Sequence, residues 1–309
     1  MTELLQVIKN NNTIIPGKFI NDLSGYTIYD RNIDVYNKEE LICRFRKDIL
    51  TNEEEIENFA TNIRSCAIRK KENRGSAAGL IDRDKVRPSA KGLFNIKGCR
   101  TQFHTLTGKK SNTMICNQAK SNVIGYIDTA KRNSSQAERV RLAAYCRESP
   151  LKYEKCLPFL KSIDSVFKNN SADQYNYQKL RNNEKYTIEK TVFSTVTVNY
   201  SWQSATHKDS NNGGDTMAVI TVVKDHTNEN DYTGGYLHFP EFNIGFNIRE
   251  RDVFIGNTQK YYHCNSPLVP LKELIGKWTD TDIANKWYLN RISLVAYLKR
   301  SCSVSCNQL

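Results

Sequence analysis

At 309 residues the chain is long enough for one large domain or two small ones, and for a full hydrophobic core. Lys and Arg number 45 against 33 acidic residues, and the resulting +12 is spread along the chain rather than packed into one tail. Such a distributed basic field favours a polyanionic partner, nucleic acid being the commonest, and its plain alternative is a basic but inert surface. Nine cysteines without close, even spacing argue against a disulfide scaffold. Glu3 stands where a secretory signal carries basic residues, and no run approaches the roughly 18 apolar residues of a membrane helix. The expectation is a soluble, reduced, intracellular protein with no membrane contact. Cys302 and Cys306, in "SCSVSC", read as two thiols in a tail rather than as a zinc site, because no second ligand pair accompanies them.

Along the chain, "SGYTIYD" is β-prone, and "NKEELICRFRKDILTNEEEIENFATNIRS" has apolar residues every three or four positions, which predicts one or two amphipathic helices. A glycine- and proline-rich stretch, "NRGSAAGLIDRDKVRPSAKG", excludes long regular elements. "SSQAERVRLAAYCRES" and "YEKCLPFLKSIDSVFKN" predict two helices, the second with Leu157, Leu160, Ile163 and Phe167 on one face. From about residue 188 the period turns to alternation, with six or more β segments between "EKTVFSTVTVNYSW" and "NRISLVAYLKR". The predicted architecture is α+β: an N-terminal helical and loop region (1–187) packing on a jelly-roll core (188–301), then a short tail (302–309), all forming one integrated domain.

The segment "ATHKDSNNGG" ends the first of those β runs and carries His207-x-Asp209. A mononuclear iron(II) oxygenase needs two imidazoles and one carboxylate on one face of the metal. Residues i and i+2 of an extended strand point the same way, so His207 and Asp209 supply two of the three, and His263, 54 positions after Asp209 in "KYYHCNSP", is placed to supply the third. Chance is a respectable alternative. With five histidines and roughly one in twenty odds each, such a pair arises about one time in four, so the spacing alone is weak. Arg291 opens the last strand, where a dicarboxylate cosubstrate needs a buried bidentate cation; the plain reading is an arginine capping a strand end. His238 on its strand reads as packed or hydrogen-bonded, and His226 as loop surface.

"HKDSNNGGDTMAVITVV", followed in order by "GGYLHFPEFNIGFNIRERDVFIGN", "YYHCNSP" and "NRISLVAYLK", resembles the TET/JBP family of iron(II)- and 2-oxoglutarate-dependent dioxygenases over about residues 190 to 300. That resemblance implies a double-stranded β-helix, Fe(II) and 2-oxoglutarate as cofactors, and His207, Asp209 and His263 as iron ligands. It also implies Arg291 as the anchor of the 2-oxoglutarate carboxylate. The 28 positions from His263 to Arg291 exceed what the family uses, and the extra "LVPLKELIGKWTDTDIANKW" reads as an inserted helix or lid. No cysteine-rich zinc-binding extension like that of the animal TET enzymes is found.

The implied function is oxidation of the methyl group of a base in DNA, first 5-methylcytosine to 5-hydroxymethylcytosine, with DNA as partner and a nuclear location if the source is eukaryotic. Thymine or N6-methyladenine is the nearest alternative, then a protein or nucleoside hydroxylase, then a non-catalytic nucleic-acid-binding jelly-roll. A base inside a duplex must be flipped out to reach such a site. Asn199, Tyr200, Trp202 and Gln203 beside the metal strand are candidates for its pocket, and Arg74, before "GSAAG", for a phosphate or the cosubstrate; ordinary packing is the competing reading for each.

Overall fold

The computed structural model of the chain describes residues 2–69, 71–82, 101–103, 110–116, 118–128, 140–210, 212–279, 282–283 and 286–304. Strands β1 (Glu3–Gln6), β2 (Thr27–Tyr29), β3 (Ile33–Asn37) and β4 (Glu40–Arg46) precede helix α1 (Glu53–Arg69). After β5 (Lys71–Asn73) and a 3₁₀ turn at Gly75–Ala78 come β6 (Leu80–Asp82), β7 (Thr101–Phe103), β8 (Lys110–Cys116), β9 (Gln118–Asp128) and β10 (Val140–Leu142). Helices α2 (Ala144–Glu148), α3 (Pro150–Asn170) and α4 (Ala172–Arg181) lead into β11 (Thr195–Tyr200), β12 (Ala218–Lys224), β13 (Tyr232–Gly234), β14 (Leu237–Phe239) and β15 (Ile244–Phe246). The chain finishes with β16 (Val253–Gly256), β17 (Cys264–Asn265), β18 (Leu268–Pro270) and β19 (Arg291–Tyr297).

A ten-stranded sheet runs β1-β3-β4-β16-β12-β19-β11-β9-β10, with β5 added beside β9. Facing it is a smaller sheet, β17-β14-β15-β2. Phe45, Ile220, Val222 and Phe254 from the large sheet interdigitate with Tyr29, Leu237, Phe239, Ile244 and Phe246 from the small one, which makes the jelly-roll interior. The other face of the large sheet is covered by α1 and α3, where Phe59, Ile63, Phe159 and Ile163 meet Val196, Val198, Leu294 and Ala296. Each central strand therefore buries both faces, which is why β11 and β12 read as nearly continuous β-branched runs. Among the described residues no helix is long and apolar enough to cross a membrane.

Two expected helices are corrected. Residues 40–46 form a strand inserted between β3 and β16, and the helix of that stretch begins only at Glu53, where the Asn52 side chain accepts from the Glu55 amide at 3.3 Å. Residues 140–142 likewise pair with β9 as β10, and their helix starts at Ala144. In both places the backbone bonds offered by neighbouring strands outweigh a weak local helical spacing. The region expected to be helices and loops thus supplies β1, β3, β4, β5, β9 and β10 to the large sheet. Helix α3 contains the expected 153–169 segment with Leu160, Ile163 and Phe167 buried. Cys302 is buried against Val140 and Leu298 rather than frayed, and Cys306 lies outside the described residues.

Candidate metal and cosubstrate site

The expected site begins where β11 stops. Ser201 turns the chain with φ +44°, its amide donating to the Arg291 carbonyl at 2.7 Å, so Arg291 and the segment after β11 are tied together at one end of the sandwich. The following residues are not a continuing strand. They are held point by point: Ala205 donates to the Ala77 carbonyl (2.8 Å), Thr206 donates to Lys18 (2.9 Å), and Gly17 donates to Thr206 (2.7 Å). His207 and His263 then form a single antiparallel bridge, each amide donating to the other's carbonyl at 3.0 and 2.9 Å. That reciprocal pair sets the two imidazoles side by side, with ring centroids 4.2 Å apart.

Asp209 is placed by its amide, which donates to the Thr258 carbonyl at 3.0 Å. Its two carboxylate oxygens lie 3.7 Å from His207 Nε2 and 3.9 Å from His263 Nε2. One donor atom from each of the three side chains lies within 4.8 Å of the others, the spacing expected around one ion. Both histidines turn Nδ1 toward a backbone carbonyl, His207 to Ala205 at 2.7 Å and His263 to Tyr261 at 3.3 Å. An Nδ1–H held this way fixes the tautomer that leaves Nε2 a free lone pair. Burial, with the adjacent His263, pushes the His207 imidazole down to about 4, so it stays neutral, as a metal ligand must be.

Arg291 opens β19, 2% exposed, and its Nε has no hydrogen-bond partner. Burial lowers its pKa, opposed by the nearby Tyr232 and reinforced by the neighbouring Arg249. Among the described residues no carboxylate pairs with it, so a buried permanent cation faces the cavity without a counter-ion. The residues fit an iron(II) and 2-oxoglutarate pair: a two-histidine, one-carboxylate donor set, and an orphaned guanidinium in the same chamber for the far carboxylate.

That chamber has a volume of about 410 Å³ and is lined by His207, Asp209, His263, Arg291 and apolar walls at Ile220, Leu237, Ile248 and Val295. Of the expected pocket residues, Arg74, Asn199 and Trp202 line it. Arg74 donates to the Thr197 hydroxyl at 3.1 Å, and Asn199 accepts from Ser121 at 2.6 Å while donating to Ser293 at 3.4 Å. Tyr200 and Gln203 do not line it. Strand alternation turns Tyr200 to the helix-covered face, where its hydroxyl donates to Asp225 at 2.8 Å, and Gln203 reaches outward to Asn21 at 3.1 Å.

Sequence reasoning missed Ser293, Tyr297 and Asn212, all of which line the chamber. The first two are readable as i+2 and i+6 from Arg291 on one strand face; Asn212, 1% exposed and bonded to Thr258 Oγ1 at 3.4 Å, has no such signal. Burial raises the Tyr297 phenol, partly offset by Lys299, Arg74 and a hydrogen bond with Thr197. Among the remaining histidines, His238 packs edge-on against Tyr26 at 4.9 Å with both ring nitrogens unpartnered, and half-exposed His226 sits 3.5 Å from Glu250. His104 and Asn211 lie outside the described residues.

Residues 122–300, more than half of the chain, match the Tet/JBP family, described as the oxygenase domain of the 2OGFeDO superfamily. The chain belongs to this family. Tet/JBP oxygenase domains are iron(II)- and 2-oxoglutarate-dependent dioxygenases, and the match begins inside β9, well before the run of core strands. Thymine dioxygenase JBP1 of Crithidia fasciculata is 23% identical over 202 residues, 64% of this chain and 23% of that protein. The bifunctional helicase and thymine dioxygenase JBP2 of Trypanosoma brucei brucei is 25% identical over 222 residues, 72% of this chain and 18% of that protein. This Tet/JBP chain therefore spans about a fifth of the length of those relatives. A solved structure of NgTET1 in complex with 5mC DNA superimposes with a TM-score of 0.50 at 13% identity, covering 90% of this chain and 83% of that one, a likeness of fold.

Proposed function

We propose that the protein is an iron(II)/2-oxoglutarate-dependent dioxygenase that oxidises the 5-methyl group of a pyrimidine in DNA, 5-methylcytosine first. The observation that carries this reading is the joint presence, in one chamber, of the His207, Asp209 and His263 donor set and the uncompensated guanidinium of Arg291. In this reading the three donors hold iron(II), and Arg291 binds the distal carboxylate of 2-oxoglutarate. The bound pair, with dioxygen, supplies the power to hydroxylate an unactivated C–H bond while 2-oxoglutarate leaves as succinate and carbon dioxide.

The chain's own residues do the rest. Ala205 and Tyr261 carbonyls keep both imidazoles in the ligating tautomer. Ile220, Leu237, Ile248 and Val295 keep water off the reacting centre. Trp202 and Tyr297 present aromatic faces to an extruded base, and Asn212 and Arg74 present polar groups to its edge or its phosphate. The +12 charge favours the phosphate contacts that precede extrusion.

Thymine is the second reading, favoured by the relatives named thymine dioxygenases. Both bases carry the same 5-methyl group, and the assay separates them. The protein is incubated with iron(II), 2-oxoglutarate, ascorbate and duplex DNA containing 5-methylcytosine, and the digested nucleosides are weighed. The expected product is 5-hydroxymethylcytosine, absent with His207→Ala. Oxidised thymine with untouched 5-methylcytosine would move the assignment to the second reading, and no oxidised base of either kind would refute both.

A further inference from the structure

The bridge between His207 and His263 is antiparallel, so the next opposed pair across it is Lys208 and Tyr262. Alternation turns the two imidazoles toward the chamber and this second pair to the other face of the bridge. There the Lys208 ammonium lies over the Tyr262 ring, 4.5 Å from its centroid. Tyr262 is itself held, its amide donating at 2.7 Å to Oε2 of Glu241, which is buried. The backbone bonds that bring the metal donors together therefore also fix a cation beside them.

Lys208 and Ser210 are the exposed residues among those lining the chamber, so their segment marks its mouth. The other two cations lining it, among the described residues, are engaged inward: Arg291 is buried, and half-buried Arg74 donates to the Thr197 hydroxyl at 3.1 Å. Lys208 carries its charge at the surface, where among the described residues it meets a ring face and no carboxylate. An ammonium resting on an aromatic face is restricted to few rotamers yet keeps its full charge, because the ring neutralises nothing. A phosphate can join such a cation without first breaking an ion pair.

An extruded base brings that phosphate with it. The base stays joined through its sugar to the backbone, so when it occupies the chamber its flanking phosphates remain at the mouth. We propose that Lys208, braced by Tyr262, clamps one of the two phosphates that flank the extruded nucleotide. The proposal rests on DNA being the substrate. Since Lys208 stands between His207 and Asp209 in the chain, the clamp ties the nucleotide's backbone to the metal donors and sets how far the base enters. It positions every target alike and reads no base edge.

The test titrates manganese(II)-loaded protein, without turnover, with duplexes carrying one 5-methylcytosine, at salt concentrations from about 50 to about 200 mM. Lys208→Gln is expected to weaken binding about fivefold and to reduce the slope of log affinity against log salt by about 0.9, the contribution of one phosphate. Lys208→Arg should keep the slope, and Tyr262→Leu should weaken binding by less than Lys208→Gln. A neutral methylphosphonate then replaces each flanking phosphate in turn. At one of the two positions it is expected to weaken the wild type about fivefold and to leave Lys208→Gln unaffected. Lys155→Gln, exposed on α3, should respond to it as the wild type does. An unaltered salt slope in Lys208→Gln, or a full methylphosphonate effect in that variant, overturns the clamp and leaves the DNA reading standing. Duplex binding by the wild type that is absent or insensitive to salt overturns that reading and the clamp with it.

Discussion

At the scale of single residues, the site depends on backbone carbonyls as much as on its donors. His207 and His263 are oriented through Nδ1 by Ala205 and Tyr261, neither of which sequence could nominate. Removing a donor leaves two ligands and an exchangeable site, so His207→Ala and Asp209→Ala should each weaken manganese(II) binding by at least about a hundredfold, measured by titration of the apoprotein. His238 offers a different prediction. Burial holds its imidazole at about 4, below the ordinary 6.5, and neither ring nitrogen has a partner. Between those two values the unfolded chain takes up a proton that the native state refuses. Stability is therefore unaffected above about pH 6.5 and falls as pH drops toward 4, by up to about 3 kcal/mol from this one group. Melting temperatures of wild type and His238→Phe across that range should diverge from parallel, the variant losing less on acidification; parallel curves would refute the assignment.

Among the elements, the two faces of the large sheet have separate duties. The face toward the small sheet carries the chamber through Asn199, Ser293 and Tyr297, and the opposite face is a packing surface for α1 and α3. Phe159, 1% exposed and 4.6 Å from Phe59, lies in that packing layer. Phe159→Ala should cost about 3–5 kcal/mol in denaturant unfolding while leaving 2-oxoglutarate affinity near wild type, because the cavity it opens is across the sheet from Arg291. Equal losses in both would mean the helices set the site geometry directly. The same two-sidedness explains why Tyr200, a candidate, lies off the chamber and Tyr297, which was missed, lines it: alternation decides the face, but only the packing says which face is the chamber.

Over the whole molecule, charge sets the approach of the substrate. If binding neutralises about four phosphates, affinity for duplex DNA should fall on the order of a hundredfold between about 50 and about 200 mM salt; a flat salt response would refute phosphate-led binding. The jelly-roll was legible in the sequence, and so were the positions His207, Asp209, His263 and Arg291 that the fold brings into one chamber, because alternation and residue spacing are local patterns that the chain writes out in a few residues. The contribution of β4, β9 and β10 to the large sheet was not, since a short strand is decided by the neighbours it pairs with as much as by its own composition. Nor was the His207 bridge to His263, 56 positions away. Sequence alone determined which side chains are chemically suited to a metal and a dicarboxylate. Only the tertiary structure decided that they share one chamber, because that depends on contacts between segments far apart along the chain.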